Sequence, residues 1–567
     1  MKNIARRSLM LLGFIASCST VLASCKINNG SKIEDIKNLN TSITWWNNYK
    51  EPENKEDFNK TAYSEYIFEK EVIAEFNKIY PNIQVNTKYI GSYSEIGKKL
   101  NSSLSGGNTP NIASIYGDYV AGYMKAGATL VMDDYISNSD YGFGKSVDAD
   151  GNIIDDASTA QSDLNQSYLN GEKNQYSDGK FNSMPFSKSG ETLAVNQSVF
   201  DKEGAGKAGS DSADKDEKAS YTAPTSAASK AKYSVPTNYK ELIATARKMK
   251  EDYPSLFKNQ YDSNHYFNAV PFCYDSAENM YISFSEMMGI PYTSNKSSNV
   301  AEQVLFNNDQ AKALVVQLKK WNNEGLICTQ NQLPISEGTY HQYSSTMLAQ
   351  GTIFMCITST AGARYFANTD YKSGKGGFTA SMNETPAIDV NCFDGAKSAP
   401  STAKSKVIAQ GPSLTFFKKS DEKQNVASFL FYKFLTNTEN SARLAKQTSY
   451  FPIRNSSYET ETIKNILAKS NNVVDENTSY SDKVSTYSAQ TFSLGSKYTS
   501  ENRWYSSPVF DLSASCRTAV GNIINTVFND HEATTDEEIT TLVNKAFATA
   551  YTCLLYTSPS PRDRSVS

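Results

Sequence analysis

The sequence predicts an α/β protein of two lobes, each a mixed sheet with helices on both faces, joined by crossing segments. Three observations carry this. Strand-like alternation and helix-like periodicity take turns from Ile43 onward, the order that builds βαβ units and a largely parallel sheet. The 567 residues exceed what one core organises. After one N-terminal run no long apolar stretch occurs, and mean hydropathy is -0.51, so the remainder reads as a soluble body.

Residues 1–24 read as a secretory signal. Lys2, Arg6 and Arg7 make a basic start, and Leu9 to Ala23 is apolar or small. The run falls short of the about 20 apolar residues a bilayer span needs. Leu22-Ala23-Ser24-Cys25 resembles a bacterial lipobox. That resemblance implies that Cys25 becomes the lipidated first residue of the mature protein. Each buried CH₂ of its acyl chains would contribute about 0.8 kcal/mol of anchoring. Residues 25–40 are then a polar tether, and everything beyond lies outside the cell membrane, held to its outer face.

Ile43 to Trp46 reads as a strand. Phe68, Val72, Ile73, Phe76 and Ile79 recur at helical spacing, and Pro81 ends that helix. Ile83, Val85, Thr87 and Tyr89 alternate as a strand. Ser92-Tyr93-Ser94-Glu95 offers a capping box to a helix carrying Ile96, Leu100 and Leu104. A turn from Gly106 to Pro110 leads to a strand from Ile112 to Tyr116. Residues 136 to 180 read as loop-rich. Asp201 to Lys232 holds almost no large apolar residue and reads as a disordered insertion. Tyr239 to Met249 reads as a helix, and Ala269 to Asp275 with Ala311 to Trp321 continues the α/β pattern. Gly351 to Thr360 reads as a strand running into a polar turn. Val407 to Leu414 reads as one strand crossing back between lobes. Asn425 to Leu435 and Leu512 to Phe528 read as amphipathic helices. Cys553 to Asp563 resembles the in-frame translation of a sequencing adapter, so residues 553–567 are set aside as non-native. The first lobe is expected to hold 41–150 plus about 415–455, and the second 151–414 plus about 456–552.

Lysine and arginine number 56 against 60 acidic residues, a formal charge of -4, which supplies no field for nucleic acid. Cys273, Cys328, Cys356, Cys392 and Cys516 are widely spaced and form no CxxC pair, so buried free thiols are expected, with one or two bridges left open. His265, His341 and His531 lie far apart, and no metal or cofactor motif is present. Adjacent Asp133 and Asp134 cannot face each other across a substrate, which argues against a glycosidase dyad.

Trp45-Trp46, the run Phe76 to Val85, the turn Leu104 to Pro110, and Thr448-Ser449-Tyr450-Phe451-Pro452 resemble a family 1 extracellular solute-binding protein. These are the receptors of carbohydrate-type ABC importers. The resemblance implies a type II periplasmic-binding-protein-like fold with the ligand cleft between lobes joined by a hinge. It implies no enzymatic activity, no cofactor, a monomer, and membrane permease subunits as partners. Within the family, the likeness to glycerol-3-phosphate-binding proteins places Tyr93, Ser189, Ser359, Gly411, Tyr450 and Arg517 on contact positions. Arg517 would hold a phosphate, and Gly411 would let backbone approach. The family's glutamate after the third strand is replaced here, with Asp118 as the nearest substitute. Glycerol-3-phosphate or a glycerophosphodiester is therefore expected first, with a neutral oligosaccharide as the alternative. The rival class is a lipid-anchored glycosidase or phosphodiesterase.

Overall fold

A computed structural model describes residues 35–54, 63–197, 199–200, 233–335, 341–367, 379–396, 404–475 and 478–557. The signal, Cys25 and the 201–232 insertion lie outside these. Strand β1 (Thr41–Asn47) leads through helix α1 (Ser64–Ile79) to β2 (Ile83–Tyr89), and through α2 (Tyr93–Leu104) to β3 (Ile112–Ile115). The expected βαβαβ order is thus present. β1 lies between β2 and β3 and is parallel to both, with Thr41 opposite Ile83 and Trp45 opposite Ile112. Ser92 accepts from Glu95 N–H, and the Glu95 side chain reaches back, completing the capping box.

Among the elements that follow in this lobe are α3 (Gln166–Asn174) and β4 (Ser183–Pro185). The chain then crosses to a second sheet through β5 (Glu191–Asn196). Along that lobe follow α4 (Tyr239–Asp252), β6 (Val270–Tyr274), α5 (Ala277–Met288), α6 (Asp309–Asn323), β7 (Ile327–Thr329), β8 (Ile353–Ser359) and β9 (Ala380–Asn383). After β10 (Val407–Ile408), the chain re-enters the first sheet as β11 (Ser413–Phe416) and continues as α7 (Glu422–Leu435) and α8 (Thr438–Thr448). The long helix α9 (Tyr480–Ser500) leads to β12 (Trp504–Tyr505), then α10 (Ser513–Phe528) and α11 (Asp536–Thr557). The first sheet runs β2-β1-β3-β11-β4 and the second β9-β5-β8-β6-β7, while β10 and β12 pair between them.

The lobe boundaries differ from the expected ones. β4 pairs antiparallel with β11, so residues 151–186 belong with the first sheet instead of opening the second lobe. Leu164, Tyr168, Phe181, Met184 and Phe186 are buried in the same core as Trp45 and Phe429. Their apolar positions carry no regular period of their own, and their partners are distant in sequence, Trp45 more than a hundred residues before them and Phe429 more than two hundred after. Helix α9 also serves both bodies: Phe492 packs in the first core and Tyr487 in the core under the second sheet. The expected strand Val407–Leu414 is broken in two. Gly411 has φ +94°, and a Cβ there would come within 1.9 Å of the Ser187 carbonyl oxygen, so the break needs glycine. At the other end, α11 continues into the run set aside, because Leu554 falls one heptad after Phe547 and is buried with it.

The thiols of Cys273, Cys328, Cys356, Cys392 and Cys516 are buried and unbridged. The first three sit in register on β6, β7 and β8. Among the described residues no helix is long and apolar enough to cross a membrane.

Candidate functional site

A cleft of about 520 Å³ opens where three crossing segments join the lobes. The segments are Ser187–Gly190, Ile408–Pro412 and Arg503–Tyr505, stitched by backbone bonds such as Ser189 N–H to Gln410 O (3.0 Å) and Ala409 N–H to Tyr505 O (2.9 Å). The first lobe supplies the N-terminus of α2 with Ser92, Tyr93 and Ser94, the turn Tyr116–Tyr119 after β3, and Glu172 and Gln175 from α3. The second supplies Glu278 at the start of α5, Ser506, Ser507 and Arg517 of α10. Strand ends and a helix N-terminus thus converge here, where backbone N–H groups and hydroxyls are free to donate.

Four of the seven residues expected from the sequence line the cleft: Tyr93, Asp118, Gly411 and Arg517. Ser189 does not; it is buried in the hinge ladder, and Ser359 Oγ donates to its Oγ at 3.5 Å. Tyr450 stands beside the cleft, next to Tyr93. The Tyr93 ring meets Tyr116 edge-on at 4.9 Å, giving one wall an aromatic surface.

The sequence reading passed over Lys188 and Glu172, which form the cleft floor. Lys188 Nζ lies 2.6 Å from Glu172 Oε1 and donates to Ser413 Oγ at 2.8 Å. Glu172 also accepts from Ser183 at 2.5 Å and from Ser413. Burial opposes its charge, but Lys188 and the two hydroxyls outweigh this and hold its pKa below the ordinary carboxylate value. The available signal was strand alternation. Lys188 and Ser189 neighbour one another on a crossing strand, so they cannot both face the cleft. Glu172 had no such signal, because α3 sits in a stretch read as loop.

Arg517 is partly buried. Burial works against its charge, yet Asp118 and then Glu278 outweigh this and raise its pKa. Its Nη2 donates to Asn279 Oδ1. Asp118, facing it from the other lobe, is raised by burial while Arg517 pulls the other way. The cleft can therefore both accept and donate hydrogen bonds along a polar, tyrosine-walled channel. A larger groove of about 750 Å³ between α10 and α11 differs in kind. Its walls include Ala519, Ile523, Leu542 and Leu554, and it offers little to a polar solute.

The family model described as bacterial extracellular solute-binding protein matches residues 71–469. No curated protein matches the chain. Among solved structures, UgpB from Mycobacterium tuberculosis in complex with glycerophosphocholine is similar at 15% identity and TM-score 0.54, over 93% of this chain and 100% of that one. The substrate-binding protein Lmo0181 from Listeria monocytogenes in complex with cycloalternan is similar at 15% identity and TM-score 0.55, over 91% and 99%. MalE from Bdellovibrio bacteriovorus bound to maltotriose is similar at 13% identity and TM-score 0.54, over 91% and 100%. At these identities the likeness is one of fold.

Proposed function

The chain belongs to the bacterial extracellular solute-binding proteins, which bind small solutes rather than transform them and deliver them to ABC permeases, and from that membership we propose that it captures a hydroxyl-rich, carbohydrate-type solute between its lobes for import. One observation carries the choice of solute. Asp118, Glu172 and Glu278 line the cleft against Lys188 and Arg517, three carboxylates to two cations. Lys188 is already paired with Glu172, and Arg517 is flanked by the other two carboxylates. A doubly charged phosphomonoester would meet no unneutralised cation here. Sugar hydroxyls, which both donate and accept, suit such a mixed wall, and the tyrosine faces suit the apolar side of a sugar ring.

The sequence-based preference for glycerol-3-phosphate assumed a free Arg517, so the neutral oligosaccharide now ranks first. A glycerophosphodiester, with one negative charge, is the second reading, favoured by the placement of Arg517 in the cleft. The named structures include both ligand classes and do not choose between them. Closure of the lobes traps the solute, and binding shifts the open–closed equilibrium by its differential affinity for the closed form. Lipidation at Cys25 would keep the receptor beside its permease.

The test is a thermal-shift panel of maltotriose, glycerophosphocholine and glycerol-3-phosphate on the wild type and Arg517→Ala. A solute that binds only the folded state stabilises by about 2.7 kcal/mol at a hundredfold excess over Kd. The expected result is a shift with maltotriose and little with glycerol-3-phosphate. A shift with glycerophosphocholine alone, abolished by Arg517→Ala, would favour the second reading. Conversion of the solute during incubation would overturn the binding-protein reading.

A further inference from the structure

We propose that Glu191 is a positioning residue for the cleft arginine, setting the direction of Arg517 through the amide of Asn279. Its effect on affinity rests on the cleft being the solute site.

Glu191 opens β5, directly after the first crossing segment, and is 3% exposed. Its Oε1 accepts from Asn279 Nδ2 at 2.9 Å. Its Oε2 accepts from the Tyr274 hydroxyl at 2.7 Å and from Ser283 Oγ at 3.3 Å. Ser283 in turn shares a hydrogen bond with the Tyr505 hydroxyl at 3.0 Å, on the third crossing segment. Three donors converge on this side chain, which suits an ionised carboxylate that only accepts.

That choice propagates. An asparagine has one donating and one accepting end. With Nδ2 spent on Glu191, its Oδ1 faces outward and takes the Arg517 Nη2 hydrogen. A glutamine at 191 can keep its oxygen toward Tyr274 and Ser283 only by turning its own NH₂ on Asn279. The Asn279 amide then flips and offers NH₂ to a guanidinium, donor against donor, and Arg517 is released.

Protonation of Glu191 has the same consequence. Burial raises its pKa, while Tyr274, Asn279, Ser283 and Arg517 pull the other way. Tyr239 and Tyr505 also face it, and Glu286 lies beyond Tyr505. Affinity therefore falls on the acid side as Glu191 protonates. Asp118 and Glu172 titrate in the same cleft, and Glu278 also stands near Arg517, so the informative quantity is the difference between wild type and variant.

Crystal structures of the wild type, Glu191→Gln, Asn279→Leu and Tyr274→Phe test this. The expected result is that Arg517 leaves residue 279 and turns toward Asp118 in the first two variants, and stays in place in Tyr274→Phe, which removes a donor but keeps the carboxylate. Arg517 unmoved in Glu191→Gln, or displaced equally by Tyr274→Phe, overturns the proposal. If Glu191→Gln does not fold, wild-type crystals at neutral and acid pH decide: Arg517 held on Asn279 in both would overturn the proposal. In calorimetric titrations with maltotriose and glycerophosphocholine, Glu191→Gln is expected to weaken binding about tenfold at neutral pH and to flatten the acid limb. An unchanged affinity and pH profile would sever Glu191 from solute binding. Failure of both solutes to bind the wild type would overturn the choice of solute, while the position of Arg517 would still decide the role of Glu191.

Discussion

Asp275 follows the last residue of β6, and its Oδ1 has no hydrogen-bond partner among the described residues. Burial pushes its pKa from 3.8 up to about 6, with the hydroxyls of Ser344 and Thr358 acting in the opposite direction. A raised carboxylate favours the folded state only while the folded state holds the extra proton. Stability from this group is therefore present below about pH 4, falls as pH rises to about 6, and stays low above that. Asp275→Asn should raise stability at pH 7.5 by ~1–3 kcal/mol and change little at pH 4. Denaturation midpoints at the two pH values measure this; an equal gain at both would show that the carboxylate is not the cause. Much of the cleft was legible at this scale, because Tyr93, Asp118, Gly411 and Arg517 sit in blocks with a recognisable order. The direction each side chain faces was not. Ser189 and Lys188 are neighbours, and only the pairing of Ser189 with Gln410 settles which one faces the cleft.

Helices and strands whose partners are near in sequence were legible as elements. α1, α2, α6 and α7 follow the apolar period, and the capping box of α2 lies where Ser92 and Glu95 place it. α3 was missed because its apolar face is short, Tyr168 and Leu169 being two of its few buried positions. The break between β10 and β11 was missed for a different reason. Gly411 resembles an ordinary strand glycine until Ser187 is brought against it from more than two hundred residues away. Gly411→Ala should cost on the order of 2 kcal/mol or more, since a positive-φ backbone and a backbone oxygen both oppose the new methyl. It should also weaken solute affinity by disturbing the second crossing segment beside the first. A variant with wild-type melting temperature and affinity would show that the crossing segments are free to separate.

At the scale of the molecule, two lobes were legible from length and βαβ order, but their boundaries were not. Residues 151–186 join the first core through contacts with β11 and α7, which no local pattern announces. The lobes meet by polar contacts across the cleft mouth, including Lys125 with Asp511 at 2.5 Å and Asn295 Nδ2 with the Gln175 carbonyl at 2.8 Å. Such exposed or half-buried contacts are weak individually and can open and re-form as the hinge moves. The most direct test of the proposed capture is a crystal structure of the protein grown with maltotriose. The expected result is one sugar between the N-terminus of α2 and helix α10, hydrogen-bonded to Asp118 and Arg517. An empty cleft, with maltotriose in the groove between α10 and α11 or absent, would contradict it.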